Sequence, residues 1–311
     1  MLKAGNEMQA KTMNIKTRKT TMAGDSTSLQ RSKASEVWLQ FRKNKGAVVA
    51  LILLILIVLV ALFSDIIWDY KDDVIKQNIS EKLQGPSLAH PFGTDHVGRD
   101  MVARVGYGTR YSLSIALASV VIAVIAGGIL GAIAGYFGGW IENIIMRLTD
   151  IFTMIPSALM AIGIIVIIGI KTSNLVIALG ITNIPVFTRI TRASVMTVRN
   201  CEYIEASRAI GASELYILFV HALPNSMSQI FVQATLAVGN CIIAASSLSF
   251  IGVGVPVPTP EWGALLSMGR SYIQSAPYLT LFPGLAIFVT VMLINTVGDG
   301  LRDALDPKLK Q

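Results

Sequence analysis

Residues 205–225 read "EASRAIGASELYILFVHALPN", and their reading decides how the rest of the chain is folded. The stretch lies between two long apolar runs and is too polar to join either. The expected structure is a first helix from about Glu202 to Ile210, then a sharp bend at Gly211. A second helix follows, capped by Ser213 and with Glu214 in its first turn. Pro224 lacks an N–H and is expected to end that helix, with Asn225 or Ser226 capping the next. Glu205 and Arg208, three residues apart, face one way. Ile204 and Ile210 offer apolar surface. The local pattern admits two readings: a surface loop that is helical, or a rigid lever that docks on another protein and moves the following helix.

Working outward, the flanking runs read as membrane spans. Of 311 residues, 53% are apolar and 14% are charged, against about 25% charged in a typical soluble domain. The mean hydropathy is +0.60. Uncharged runs at 46–64, 111–141, 151–170 and 172–188, with further cores near 227–250 and 278–298, give six candidate spans. About 20 helical residues cross the ~30 Å hydrocarbon layer. The fourth run is short and holds Pro185, which membrane helices tolerate when neighbours satisfy the freed carbonyl. Gly127, Gly131 and Gly135 form a small-residue stripe on the second span, where another helix can approach closely.

An even number of spans puts both termini on one side. The segments on the N-terminal side hold 18 of the 26 Lys and Arg residues, while the eight on the opposite side are matched by eight acids. Both termini are therefore expected in the cytoplasm. The fold class is an all-α membrane protein with six transmembrane helices. Residues 1–34 read as a disordered cytoplasmic tail. Residues 35–64 read as an interfacial helix, capped by Ser35, leading into the first span. Trp38 and Phe41 share a face of that helix, and Arg42, Lys43 and Lys45 reach headgroups. Residues 65–110 read as an extracytoplasmic loop, with His90, Asp95 and His96 in a packed elbow and Asp100 and Arg104 paired on a short helix. Residues 111–300 form a core with five spans, in which Arg147 and Asp150 make an interfacial ion pair. Residues 301–311 read as a cytoplasmic tail.

Several chemistries find no support. There is no GxxxxGK[ST] loop, no HExxH and no nucleophile–base pattern. The spans hold no charge at hydrocarbon depth, where ion-coupled carriers keep one. Neither the three histidines nor Cys201 and Cys241 have metal-ligand spacing. No basic patch interleaved with aromatics suggests nucleic acid. The chain reads as a non-catalytic pore or scaffold subunit, without a cofactor of its own, whose energy comes from elsewhere.

The opening stretch resembles the EAA motif of ABC importer permeases: Glu205-Ala206-Ser207, then Gly211, then Leu223-Pro224 at the family's spacing. It differs at Ser207 and at His221. "HPFGTDHVGRD", "GYFGGWIENIIMRLTDIFTMIPSALMAI", "SLSFIGVGV" with "PTPEWG", and "LFPGLAIFVTVMLINTVGDGLRDALDP" follow the same family in order, over about residues 36–307. The chain is identified as similar to the second (C-type) permease subunit of dipeptide, oligopeptide and nickel uptake systems. The resemblance implies a type I importer transmembrane domain in a bacterial or archaeal cytoplasmic membrane. It also implies a second homologous permease, two cytoplasmic ATPases that bind ATP and Mg, and an extracytoplasmic binding protein. Within the segment 202–225, Glu205, Ala206, Ser207, Arg208, Ile210, Gly211, Leu223 and Pro224 would contact the ATPase or transmit its motion. Cargo would be peptides, with nickel or a metal chelate as an alternative. A membrane scaffold without transport and a secondary transporter are the other classes weighed. The peptide branch often carries an acid just before "SLSF", where this chain has Ala245 and Ser246.

Overall fold

The computed structural model describes residues 33–305. The expected tail over 1–34 falls outside the described residues except for Lys33 and Ala34, and so do residues 306–311. Lys33 and Ala34 are already helical in α1 (Lys33–Phe41), so Ser35 lies inside the helix instead of at its cap. The Asn44 side chain accepts a hydrogen bond from the Ala47 N–H at 3.1 Å and starts α2 (Lys45–Leu62). Phe41 and Ala47 pack on Ala304, so the first two helices rest against the last one. Most of α2 is exposed, as suits a helix that is apolar all round and faces lipid.

Residues 64–100 form an ordered loop with a helical turn at Ser64–Ile67, a π-helical turn at Tyr70–Ile75 and a 3-10 turn at Ile79–Glu81. The next helix, α3 (Met101–Phe137), starts ten residues before the expected span. Asp100 caps it through Val102 and Ala103 N–H, at 2.7 and 3.0 Å. Arg104 lies inside this helix and pairs with Asp95, while Asp100 meets His90 Nδ1 at 2.7 Å. The expected Asp100–Arg104 pair is therefore absent. Asp95 also accepts from Arg99 Nε at 2.7 Å, and Arg104 is fully buried.

The third expected span is not one helix. It is a pair, α4 (Gly139–Met154) and α5 (Ser157–Ile168), bent by 88°. Pro156 causes the break: it pushes Ile155 out of helical geometry to φ −88°, ψ 125°. Helix α6 (Thr172–Val198) carries Pro185 in its interior and runs ten residues past its expected end. Arg189 and Arg192 do not stop it, because Asp150 and Glu142 on α4 pair with them. Asp150 thus meets Arg189 at 2.9 Å, and not Arg147.

The glycine stripe sits where α3 and α6 make the most extensive helix contact in the bundle. A Cβ on Gly127, Gly131 or Gly135 would come within 2.7, 2.4 and 2.6 Å of the carbonyls of Ile184, Thr188 and Arg192. Three turns of one helix therefore face three turns of the other at backbone contact distance. After α6 come α7 (Glu202–Ala209), α8 (Leu223–Phe250), α9 (Trp262–Gly269) and α10 (Tyr278–Leu305), which extends past residue 300. Glu261 is fully buried and caps α9 through Gly263 and Ala264 N–H, both at 2.9 Å. Among the described residues, five helical runs are long and apolar enough to cross a membrane, or six if the bent α4–α5 pair counts as one span.

Candidate coupling site

The segment between α6 and α8 lies at the end of the bundle opposite the 64–100 loop. Cys201, in extended backbone (φ −76°, ψ 147°), leads into α7. Ile204 is fully buried among Ala132, Tyr136, Val195, Ile217, Leu218 and Ala222, which seats α7 on α3 and α6. The other face of α7 is open. Glu205, Ala206 and Arg208 are exposed, and Ile210 is 86% exposed. Ser207 is half-buried, and its Oγ donates to the Tyr203 carbonyl at 2.8 Å.

Gly211 has φ +86°, and a Cβ there would meet nothing within 4 Å. Backbone conformation, not space, therefore calls for glycine at this position. Its N–H donates to the Arg208 carbonyl at 3.0 Å and the Ala212 N–H to that of Ser207 at 3.2 Å, closing the end of α7. Ser213 Oγ then accepts from the Tyr216 N–H at 3.3 Å.

Pro224 does not end the second helix. The run from Glu214 passes through a π-helical turn, Ile217–Ala222, directly into α8. The Leu223 N–H reaches back five residues to the Leu218 carbonyl, and the widened turn makes room for the proline ring. Asn225 and Ser226 do not cap a new helix. The Asn225 amide donates to the His221 carbonyl at 2.7 Å, and Ser226 Oγ donates to those of Ala222 and Leu223 at 3.1 and 2.8 Å. These bonds occupy carbonyls near the gap that proline leaves. Leu223 is half-buried and Pro224 exposed at the root of α8, apart from the Glu205–Gly211 surface.

Arg208 does not pair with Glu205. Its Nε lies 3.0 Å from Glu214 Oε1, across the Gly211 bend. Its Nη2 lies 3.3 Å from Glu214 Oε2 and 3.3 Å from the Tyr136 hydroxyl. Tyr136 in turn donates to Glu214. The hydrogen bonds from Arg208 to Glu214 and Tyr136 hold its guanidinium pKa above the ordinary arginine value. Tyr136 was invisible as a partner in the sequence, since it lies 78 residues from Glu214. The same segment also exposes the apolar side chains of Tyr203, Leu215, Tyr216, Phe219 and Val220. The arrangement presents a half-apolar, half-charged projection tied to two long helices.

The family of binding-protein-dependent transport system inner membrane components matches residues 127–311, more than half of the chain. The chain belongs to this permease family. A second match, to the N-terminal transmembrane domain of oligopeptide transport permease C, covers residues 32–86 of the permease. The dipeptide transport system permease protein DppC of Alkalihalophilus pseudofirmus is 46% identical over 275 residues, 88% of this chain and 90% of that one. The glutathione transport system permease protein GsiD of Escherichia coli is 42% identical over 277 residues, with 88% and 90% covered. Among solved structures, the MetNI methionine ABC transporter in an inward-facing form aligns with a TM-score of 0.54 at 20% identity. That alignment covers 66% of this permease and 98% of the other chain, and it supports the type I importer fold. The permease is thus a multi-pass membrane component of an ABC importer, a class that works with ATPase and substrate-binding partners.

Proposed function

We propose that this permease forms half of the translocation pathway of an ATP-driven peptide importer, beside a homologous second permease. Two ATPase subunits on the cytoplasmic side hold ATP and Mg and hydrolyse the nucleotide; this chain does neither. A binding protein on the other side delivers cargo to the face formed by the 64–100 and 252–277 segments. The observation that carries the cargo assignment is the 46% identity, over 88% of the chain, to a dipeptide permease. The tripeptide glutathione named for the second relative belongs to the same chemical class.

The coupling contact is assigned to Glu205, Ala206, Ser207, Arg208, Ile210 and Gly211. What supports it is the open face of α7, where small residues permit close approach and Ile210 projects into solvent. Leu223 and Pro224 pass the motion on, because the helical run is continuous from Glu214 to Phe250. The test is uptake of tritiated dialanine into vesicles that hold the purified complex. ATP-dependent accumulation, with two ATPases and a second permease co-purifying, is expected. ATPase turnover without accumulation of the peptide would refute the cargo.

A further inference from the structure

We infer that Tyr136 and Glu214 are positioning residues for coupling: with Arg208 they clamp the α7 segment to α3, so that its motion drives the α3–α6 pair as well as α8. This rests on the coupling assignment above.

No side chain fills the space beside Gly211, where a Cβ would meet nothing within 4 Å, so beyond two backbone hydrogen bonds the bend depends on braces from its neighbours. Two struts hold the segment. One is apolar, with Ile204 buried against Ala132, Tyr136 and Val195. The other is polar and bridges the bend from three residues before Gly211 to three residues after it, through Arg208 and Glu214. Arg208 and Glu214 are about half exposed, at 49% and 48%. Such a pair contributes little to stability by itself. Tyr136 is only 7% exposed and bonds to both ends of the bridge, which anchors an otherwise solvent-screened pair to a membrane helix. It is also the residue that belongs to both struts. Beyond Tyr136, Gly135 touches the Arg192 backbone, and its carbonyl accepts from Arg199 Nη1 at 3.0 Å. A displacement of α7 therefore meets a rigid route: Tyr136, then α3, then α6 through the glycine stripe.

The test uses the assembled complex, purified through a tag on this permease. In a Cys201→Ser background, spin labels are placed at Glu202→Cys on α7 and Trp140→Cys on α4, both exposed positions. Pulsed electron paramagnetic resonance then reads the distance distribution between them. Otherwise wild-type complex is expected to give a narrow distribution. Tyr136→Phe, which removes one hydroxyl, and Glu214→Gln are expected to broaden it and to lower dialanine uptake per ATP about five-fold, with the ATPases still bound. The exchanged pair Arg208→Glu with Glu214→Arg is expected to restore narrowness in part, which lost folding would not. A narrow distribution in both single variants overturns the inference, and so does a broad one with unchanged uptake per ATP. Gly211→Val separates the two levels. If it too leaves uptake per ATP unchanged, the coupling assignment fails; if it alone abolishes uptake, only the clamp does.

Discussion

At the scale of single residues, two positions make opposite demands. Gly211 needs backbone freedom and no space, so the nature of the replacement matters more than its size. A residue with a Cβ at positive φ costs about 1–2 kcal/mol, with Asn and Asp tolerated best. Gly211→Val is therefore expected to abolish uptake while membrane insertion, read by western blot of the membrane fraction, persists. Gly211→Asn is expected to keep a substantial part of uptake. Asp95 instead needs its charge. It is 5% exposed beside the fully buried Arg104, and breaking a buried pair costs about 3–5 kcal/mol. Asp95→Asn is expected to lower the thermal unfolding midpoint in detergent by several degrees, and adding Arg104→Met is expected to recover part of the loss. Burial pushes the Asp95 pKa up, but Arg104 and the Arg99 N–H outweigh it, and the folded value lies below the ordinary carboxylate value. A lowered folded pKa means that the contribution is present above the unfolded value, about 3.9, and is lost as pH falls through the folded value. The difference between wild type and Asp95→Asn is thus expected to hold steady from pH 7 to about pH 4 and to shrink below that. A difference that fades already near pH 6 would contradict this.

At the scale of elements, the helices were legible where many residues add up and illegible where one distant contact decides. An apolar run is a sum over about twenty side chains, so each membrane-crossing segment stood out. Its ends did not. Arg110 and Arg189 bounded the uncharged runs, yet each lies inside a longer helix and pairs with an acid from another element. Pro156 and Pro224 were both visible in the sequence. What a proline does depends on whether the backbone around it can widen: the chain breaks by 88° at Pro156 and absorbs Pro224 behind a π turn. The EAA-like spacing marked out the candidate coupling segment, while Tyr136, which bonds to Arg208 and Glu214 of that segment, lay in a different helix and left no local signal. The glycine stripe was legible because backbone contact tolerates few residue types. Gly131→Leu would drive a side chain into the Thr188 carbonyl, 2.4 Å from the first added carbon. It is expected to abolish the monodisperse peak in size-exclusion chromatography, whereas Gly128→Leu, with nothing within 4 Å, is expected to preserve it. Pro224→Ala tests the π turn. If that turn relaxes to α, it takes about one residue fewer per turn and Glu214 rotates by about 100° around the helix axis. Uptake per ATP is then expected to fall in the same direction as in Tyr136→Phe.

At the scale of the whole molecule, the two ends of the bundle differ in how their charges are satisfied. In the 64–100 region and the start of α3, Asp65 pairs with Arg110, Asp72 with Lys76, and Asp95 with Arg99 and Arg104. The hydrogen bond from Tyr107, followed by that from Arg110, holds the Asp65 pKa below its ordinary value, which keeps the partner of Arg110 charged. Over the full sequence the excess of basic residues falls on the segments expected at the other side, and such an excess is what orients a chain with its basic side in the cytoplasm. Sidedness decides whether α7 can meet an ATPase at all, and the protein contains its own reporter. Cys201 is a free, partly exposed thiol beside α7, while Cys241 is free and buried. A membrane-impermeant maleimide is expected to label Cys201 in inside-out vesicles and not in intact cells. Cys201→Ser is expected to remove that signal, since Cys241 is only 1% exposed. Labelling in intact cells would put the coupling segment on the side without ATP. The clamp at Tyr136 would then tie α3 to an external loop, and the energy for uptake would have to enter the bundle elsewhere.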